Sequence, residues 1–148
     1  HSAALLLLKG ALTRVESAPA DAVLDRADVA ALAREYARQA LADGQTQEVL
    51  AMLERLEPHL AATADIWAIR GNAAQRLGHH AQAVAAYQQA LAQNPNEPRW
   101  LLGAAISLAA LGQTGAAADM AERVRMARAM PADVANYLRQ LGVPIKTD

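Results

Sequence analysis

Few side chains in this 148-residue sequence could carry metal or nucleophilic chemistry. The densest group is the adjacent pair His79 and His80, with His59 upstream, and imidazole ligation of a metal is what they would offer. Neighbouring residues on a turn point in different directions, however, and no carboxylate stands at helical spacing beside them. Glu57 and Asp65 flank a proline or a cap instead, so these are read as solvated turn histidines and no metal site is expected. Ser2, Ser17 and Ser107 fall on a tag-like start, near a helix end and inside a helix, without a local base motif. No G-x-S-x-G, phosphate-cradling glycine loop or H-E-x-x-H is present. The absence of cysteine removes disulfides, thiolate metal sites and cysteine nucleophiles together, and leaves cytoplasm and periplasm both open. The expectation is a chain with no catalytic residue and no cofactor. Its enzymatic alternative would be a site assembled from scattered residues.

The elements that position these side chains are helices. Apolar residues make up 53% of the chain, mostly alanine and leucine, while aromatics are 3% and β-branched residues are sparse, a composition that favours helix throughout. Fourteen basic against fifteen acidic residues give a formal charge of -1, which argues against nucleic-acid binding through bulk charge. The longest apolar run, Ala3 to Leu8 with Ala11 and Leu12 beyond, falls short of the ~20 residues a membrane span needs. No direct membrane insertion is expected of this segment. His1-Ser2 reads as a tag remnant on an excised fragment, from which an upstream anchor could have been removed.

The sequence repeats. Gly44, Gly78 and Gly112 lie 34 residues apart, each closing an alanine- and leucine-rich stretch and opening a polar turn (Gln45-Thr46, His79-His80, Gln113-Thr114). A second helical run follows each turn and ends near Pro58, Pro95 or Pro131. In the middle unit Ala83, Val84, Tyr87, Ala90 and Leu91 form one apolar stripe, and a two-helix unit with a single stripe must stack on neighbours to bury it. The predicted fold class is all-α: a solenoid of three helix-turn-helix units at 29–63, 64–97 and 98–131, after an N-terminal helical segment at 3–28. A capping helix is expected at 132–142, with a tail at 143–148. In the N-terminal segment Leu5, Leu8, Leu12 and Val15 share a face. Gly10 stands 34 residues before Gly44, which leaves two readings: a vestigial earlier repeat, or a separate helix packed on the first pair.

The middle unit resembles the tetratricopeptide repeat, whose signature is W-x2-L-G-x2-Y, then A-x3-F, then P. Trp67, Gly71, Ala83, Tyr87, Ala90 and Pro95 match it, while Arg70 and Ala74 replace the leucine and the first tyrosine. The third unit keeps Leu101, Ala105, Leu108, Gly112 and Ala117 but has Ala121 for the second aromatic; the first keeps Ala37, Gly44 and Leu53. The resemblance implies that Trp67 and Tyr87 are core within their helix pair, and that Trp100 packs toward the preceding second helix. Over about residues 65–141, the segment Asn94-Pro95-Asn96-Glu97-Pro98-Arg99-Trp100 and the run Pro131 to Leu141 are similar to the N-protein family of mannose-sensitive haemagglutinin pilus biogenesis. That resemblance implies a periplasmic domain on an inner-membrane anchor, an adaptor in type IV pilus or type II secretion-like assembly. A cytoplasmic co-chaperone or regulatory adaptor is the alternative.

In the repeat register the first helices turn Arg34, Arg38 and Leu41, then Asp65, Ala68, Asn72, Gln75 and Arg76, then Arg99, Leu102 and Ile106 to the inner surface. Four arginines against Asp65, beside Leu102 and Ile106 and without interleaved aromatics, suit a protein or peptide partner with acidic and aliphatic side chains rather than nucleic acid. The carboxylate clamp of chaperone-binding members is not supported, because Gly103 stands where a second asparagine beside Asn72 is required. Exchange of the N-terminal helix between two chains offers a route to a homodimer.

Overall fold

The fold, a computed structural model, is described for residues 2–19, 21–127, 136–137 and 140–142. The main helices are α1 (Ser2–Glu16), α2 (Arg26–Ala42), α3 (Thr46–Leu56), α4 (Ala64–Arg76), α5 (His80–Gln93), α6 (Pro98–Ala110) and α7 (Thr114–Ala127), and no strand occurs among the described residues. Each helix packs on its successor, and α4 also touches α2 and α6, so the first helices of successive pairs lie side by side in a helical solenoid.

The period is written into three near-identical turns. Gly44, Gly78 and Gly112 adopt φ of 78°, 79° and 80°, the left-handed region that a side chain disfavours. The residue after each glycine donates back five positions, Gln45 N–H to Ala40 at 2.8 Å, His79 to Ala74 and Gln113 to Leu108 at 2.9 Å, the Schellman closure of a helix end. Gly10 does none of this. It lies inside the unbroken α1 with an ordinary φ, so its spacing from Gly44 does not mark an earlier turn. Two boundaries differ from expectation. The first pair begins at Arg26 rather than 29, because the Asp25 carboxylate accepts from Ala27 N–H at 2.9 Å and Asp28 N–H at 3.1 Å and caps the helix there. Pro58 does not end the second helix but sits in a 3-10 turn, Glu57–His59, that follows α3. The expected cap at 132–142 lies largely outside the described residues, although Asn136, Tyr137 and Gln140 are helical and Gly142 has φ 83°. The tail at 143–148 lies wholly outside them.

α1 covers the first pair. Leu5 and Leu12 are buried among Val29, Ala33, Tyr36, Met52, Leu53 and Leu56, with Leu8 and Val15 packed beside them. Two ion pairs fasten the same helix to α3, Lys9 to Glu48 at 2.9 Å and Arg55 to Glu16. The opposite face of α1 exposes Leu6 and Leu7.

Alanine lets α4 and α5 approach closely: Ala73, Ala74, Ala83 and Ala90 are fully buried. Across them lies Tyr87, buried and shared between two units. A Cβ placed on Gly71 of α4 would fall 2.9 Å from Cδ2 of its ring, and one on Gly103 of α6 would meet the ring carbons and stand 2.8 Å from the hydroxyl oxygen. The tyrosine expected within one helix pair is therefore the spacer between two first helices. Trp67 is half-buried: it packs against the core cluster that holds Ala68, Tyr87 and Leu91, and the Arg70 guanidinium stacks 4.4 Å from its ring centroid, with Arg70 in turn paired with Glu57. That pairing explains why arginine is accepted where the repeat signature has leucine.

Adding one methyl group at each of two helical glycines separates packing from propensity. Gly103→Ala should lower stability by about 1–3 kcal/mol through overpacking against Tyr87. Gly10→Ala, near only the end of the Arg14 side chain at 4.0 Å, should raise it by roughly 0.5–1 kcal/mol. Thermal or urea unfolding of the two variants checks the pair of signs.

Candidate functional site

The inner face of α2, α4 and α6 forms one continuous groove made of two clefts. One, of about 430 Å³, is lined by Ala31, Arg34, Glu35, Arg38, Leu41 and Ile69. The other, of about 330 Å³, is lined by Leu41, Asp65, Ala68, Ile69, Asn72, Tyr87, Arg99 and Trp100. Leu41 and Ile69 belong to both. Of the residues expected at this surface, Arg34, Arg38, Leu41, Asp65, Ala68, Asn72 and Arg99 line the clefts, while Arg76, Leu102 and Ile106 are exposed and line neither. The sequence register missed Ala31, Glu35, Ile69, Tyr87 and Trp100. Trp100, expected to pack into the core, is half-buried: it packs against the cluster of Ala68, Tyr87, Leu91 and Leu101 and also faces the cleft.

The electrostatics differ from four arginines facing one aspartate. Arg34 of α2 meets Asp65 of α4 as an ion pair across the groove, its Nε against Oδ2 and its Nη2 3.5 Å from Oδ1. Burial would raise the Asp65 carboxyl, but hydrogen bonds from Thr63, Arg34 and the Ile66 N–H outweigh it and hold the group below its usual range. Arg38 is held by Glu35, three positions before it on the same helix, and hydrogen bonds from Arg38 and then Gln39 bring Glu35 down to about 2. Arg99 donates to Glu97 at 2.9 Å, and Glu97 also caps α6 by accepting from the Arg99 N–H at 3.3 Å. The i, i+3 spacing of Glu35 and Arg38 was a readable sign of that compensation. The Arg34–Asp65 contact, between residues 31 apart, had no local sign.

Gln75 also departs from the expected groove set. Its side-chain amide donates to Gly103 O and to Ser107 Oγ, both at 2.8 Å, and so ties α4 to α6 instead of facing a ligand. His80 Nδ1 lies 3.0 Å from the same Ser107 oxygen. A serine and a histidine at this distance have the separation of a nucleophile and its base. Ser107 is fully buried, however, and Gln75 and His80 already flank its hydroxyl, so a substrate atom has no approach. The pair satisfies a buried hydroxyl and fixes the joint between α4, α5 and α6. His79 and His80, adjacent in sequence, thus part company: His79 is exposed on the turn and His80 enters this network. Groups of histidine and carboxylate suited to holding a metal do not occur among the described residues.

Residues 64–97 match the tetratricopeptide repeat family model. A crystal structure of MamA superposes with a TM-score of 0.62 at 17% identity, over 82% of this chain and 68% of that one. MamA from AMB-1 gives 0.66 at 17% identity, over 89% and 67%, and a mutant of MamA gives 0.67 at 19% identity, over 87% and 95%. The fold is a tetratricopeptide-like solenoid. No curated protein sequence matches the chain significantly. In the tetratricopeptide-like frame, α2–α3, α4–α5 and α6–α7 are the repeat pairs and the groove is the concave face built by their first helices. No helix among the described residues is long and apolar enough to cross a membrane.

The bridge across the groove should leave a signature in acid. Because the Asp65 carboxyl titrates lower in the folded chain than its ordinary 3.8, its contribution is fully present above that value and is lost as pH falls through the folded value. On going from about pH 6 to about pH 3, the melting temperature of the parent should therefore fall more than that of Asp65→Asn. The difference should be small, under about 1 kcal/mol, since both partners are partly solvated. Parallel melts across that range measure it.

Proposed function

We propose that the chain is a non-catalytic protein-interaction scaffold that holds an extended segment of a partner protein in its concave groove. The observation that carries this reading is the continuity of the two clefts through Leu41 and Ile69, which lays one uninterrupted surface across three first helices. That surface mixes apolar contact from Leu41, Ile69 and Trp100 with polar groups on both walls, the composition that recognises a peptide rather than a polyanion. With three of four arginines compensated by carboxylates, it lacks the uncompensated charge that phosphate backbones demand. Acidic and aliphatic side chains remain the partner chemistry that suits it.

Within this reading the chain serves as an adaptor in type IV pilus or type II secretion-like assembly, at the periplasmic face of the inner membrane. The support is the resemblance carried by Asn94 to Trp100. In the structure this segment joins α5 to α6: Glu97 caps α6, Arg123 of α7 donates to Pro95 O at 2.8 Å, and Trp100 reaches the groove. Two residues of that segment, Arg99 and Trp100, line the cleft.

A photo-crosslinking amino acid placed at Leu102, beside the groove, or at Gln88, exposed on α5, tests both levels in the native cell. Crosslinks from position 102 to one pilus or secretion component, absent from position 88, are expected. Crosslinks only from position 88 would move the site to the outer face. A cytoplasmic partner at position 102 would keep the scaffold and discard the pilus role.

A further inference from the structure

Arg76 differs from the other groove arginines in having no carboxylate partner among the described residues. Arg34, Arg38 and Arg99 are engaged by Asp65, Glu35 and Glu97. Arg76, in the last turn of α4, is exposed. An exposed arginine is ordinary by itself; its surroundings are not. Gln75, the residue before it, is bonded to Gly103 O and Ser107 Oγ, which pins the C-terminal turns of α4 against the middle of α6. The residue before Ser107 is Ile106, 50% exposed, and one turn earlier stands Leu102, 42% exposed. The other large apolar residues of α6 through this stretch, Leu101 and Leu108, are buried, so Leu102 and Ile106 form a second apolar ridge separate from the core-facing one.

We propose that the exposed surface of α4 and α6 outside the two clefts reads one carboxylate of the bound segment with Arg76, beside two aliphatic side chains of that segment seated on Leu102 and Ile106. This deepens the groove reading and rests on it. Residues four apart on a helix rise ~6 Å along its axis, and alternate residues of an extended chain are roughly 6.6 Å apart and point the same way. The ligand is therefore an extended segment with aliphatic residues at i and i+2 and one acidic residue close by. Apolar contact on the ridge supplies most of the affinity, and the single charge supplies selectivity. Asn72, one turn before Arg76 and lining the same cleft as Tyr87, offers amide capacity to the ligand backbone. One uncompensated cation suits one carboxylate and is too little for a nucleic acid.

The probe is a library of fluorescein-labelled nonapeptides with leucine fixed at two alternate positions and the rest randomised, screened on the whole chain. Selected sequences are then remade as matched Glu and Gln versions. The parent should bind the Glu version roughly fivefold more tightly at low salt, the discrimination expected of one exposed ion pair, and the ratio should shrink as salt is added. Arg76→Gln should bring the ratio to about one while leaving the affinity for the Gln version unchanged, and Arg76→Lys should restore part of it. Leu102→Ser with Ile106→Ser should weaken both versions alike. A parent that does not distinguish Glu from Gln, or an Arg76→Gln variant that still does, overturns the assignment to Arg76. Failure of the parent to select any member overturns the groove reading itself, a result distinct from loss of the acidic preference.

Discussion

One aromatic ring sets the distance between repeat units. Tyr87 lies between the backbones of α4 and α6, and both helices offer glycine where they meet it. Glycine inside a helix is unfavourable by roughly 0.5–1 kcal/mol relative to alanine, so its presence at both contacts calls for a compensating gain. That gain is close packing of a buried ring whose width fixes how far apart two first helices stand. Because the groove is the surface those helices share, its width follows from the same contact. The pinning of Gln75 on Gly103 and Ser107 then depends on the two helices having been brought to that separation.

The repeat architecture was legible because turn chemistry is local. A glycine at a left-handed position and a back-bond over five residues need no information from elsewhere in the chain, so a 34-residue period in the sequence reads directly as three equivalent turns. The helix-facing stripe of α5 was legible for the same reason: Ala83, Val84, Tyr87, Ala90 and Leu91 are all buried. The roles of Gly71 and Gly103 were not. A glycine needed for approach by another helix has no signature in its own neighbours, and Gly103 appeared only as a missing asparagine.

The groove was legible in its residues and less so in its charge. Register alone assigns side chains to a face; it does not say which of them face one another. Glu35 and Glu97 each sit within three residues of the arginine they hold, and both pairings reduce a surface that looks basic in sequence to one that is nearly balanced. Arg34 and Asp65 were both expected on the groove, but their attraction across it depends on the lateral packing of α2 on α4, a product of stacking. Gln75 and Ser107 illustrate the same limit from the other side, since a buried hydroxyl recruits an amide that the register would have left for a ligand.

The helix α4 belongs to every apolar cluster found among the described residues. Ile66 joins it to the N-terminal cluster, Ala68 to the C-terminal one, and Ala73 with Ala74 to the small cluster between. A linear array with one such shared member does not come apart uniformly. Fraying that begins at α1 or at α7 removes neighbours from one side of α4 only, and the partners on its other side still hold it. The α4 part of the groove is thus the last to lose order, while its walls on α2 and α6 open earlier, so a segment lying across all three would loosen at its two ends before its middle.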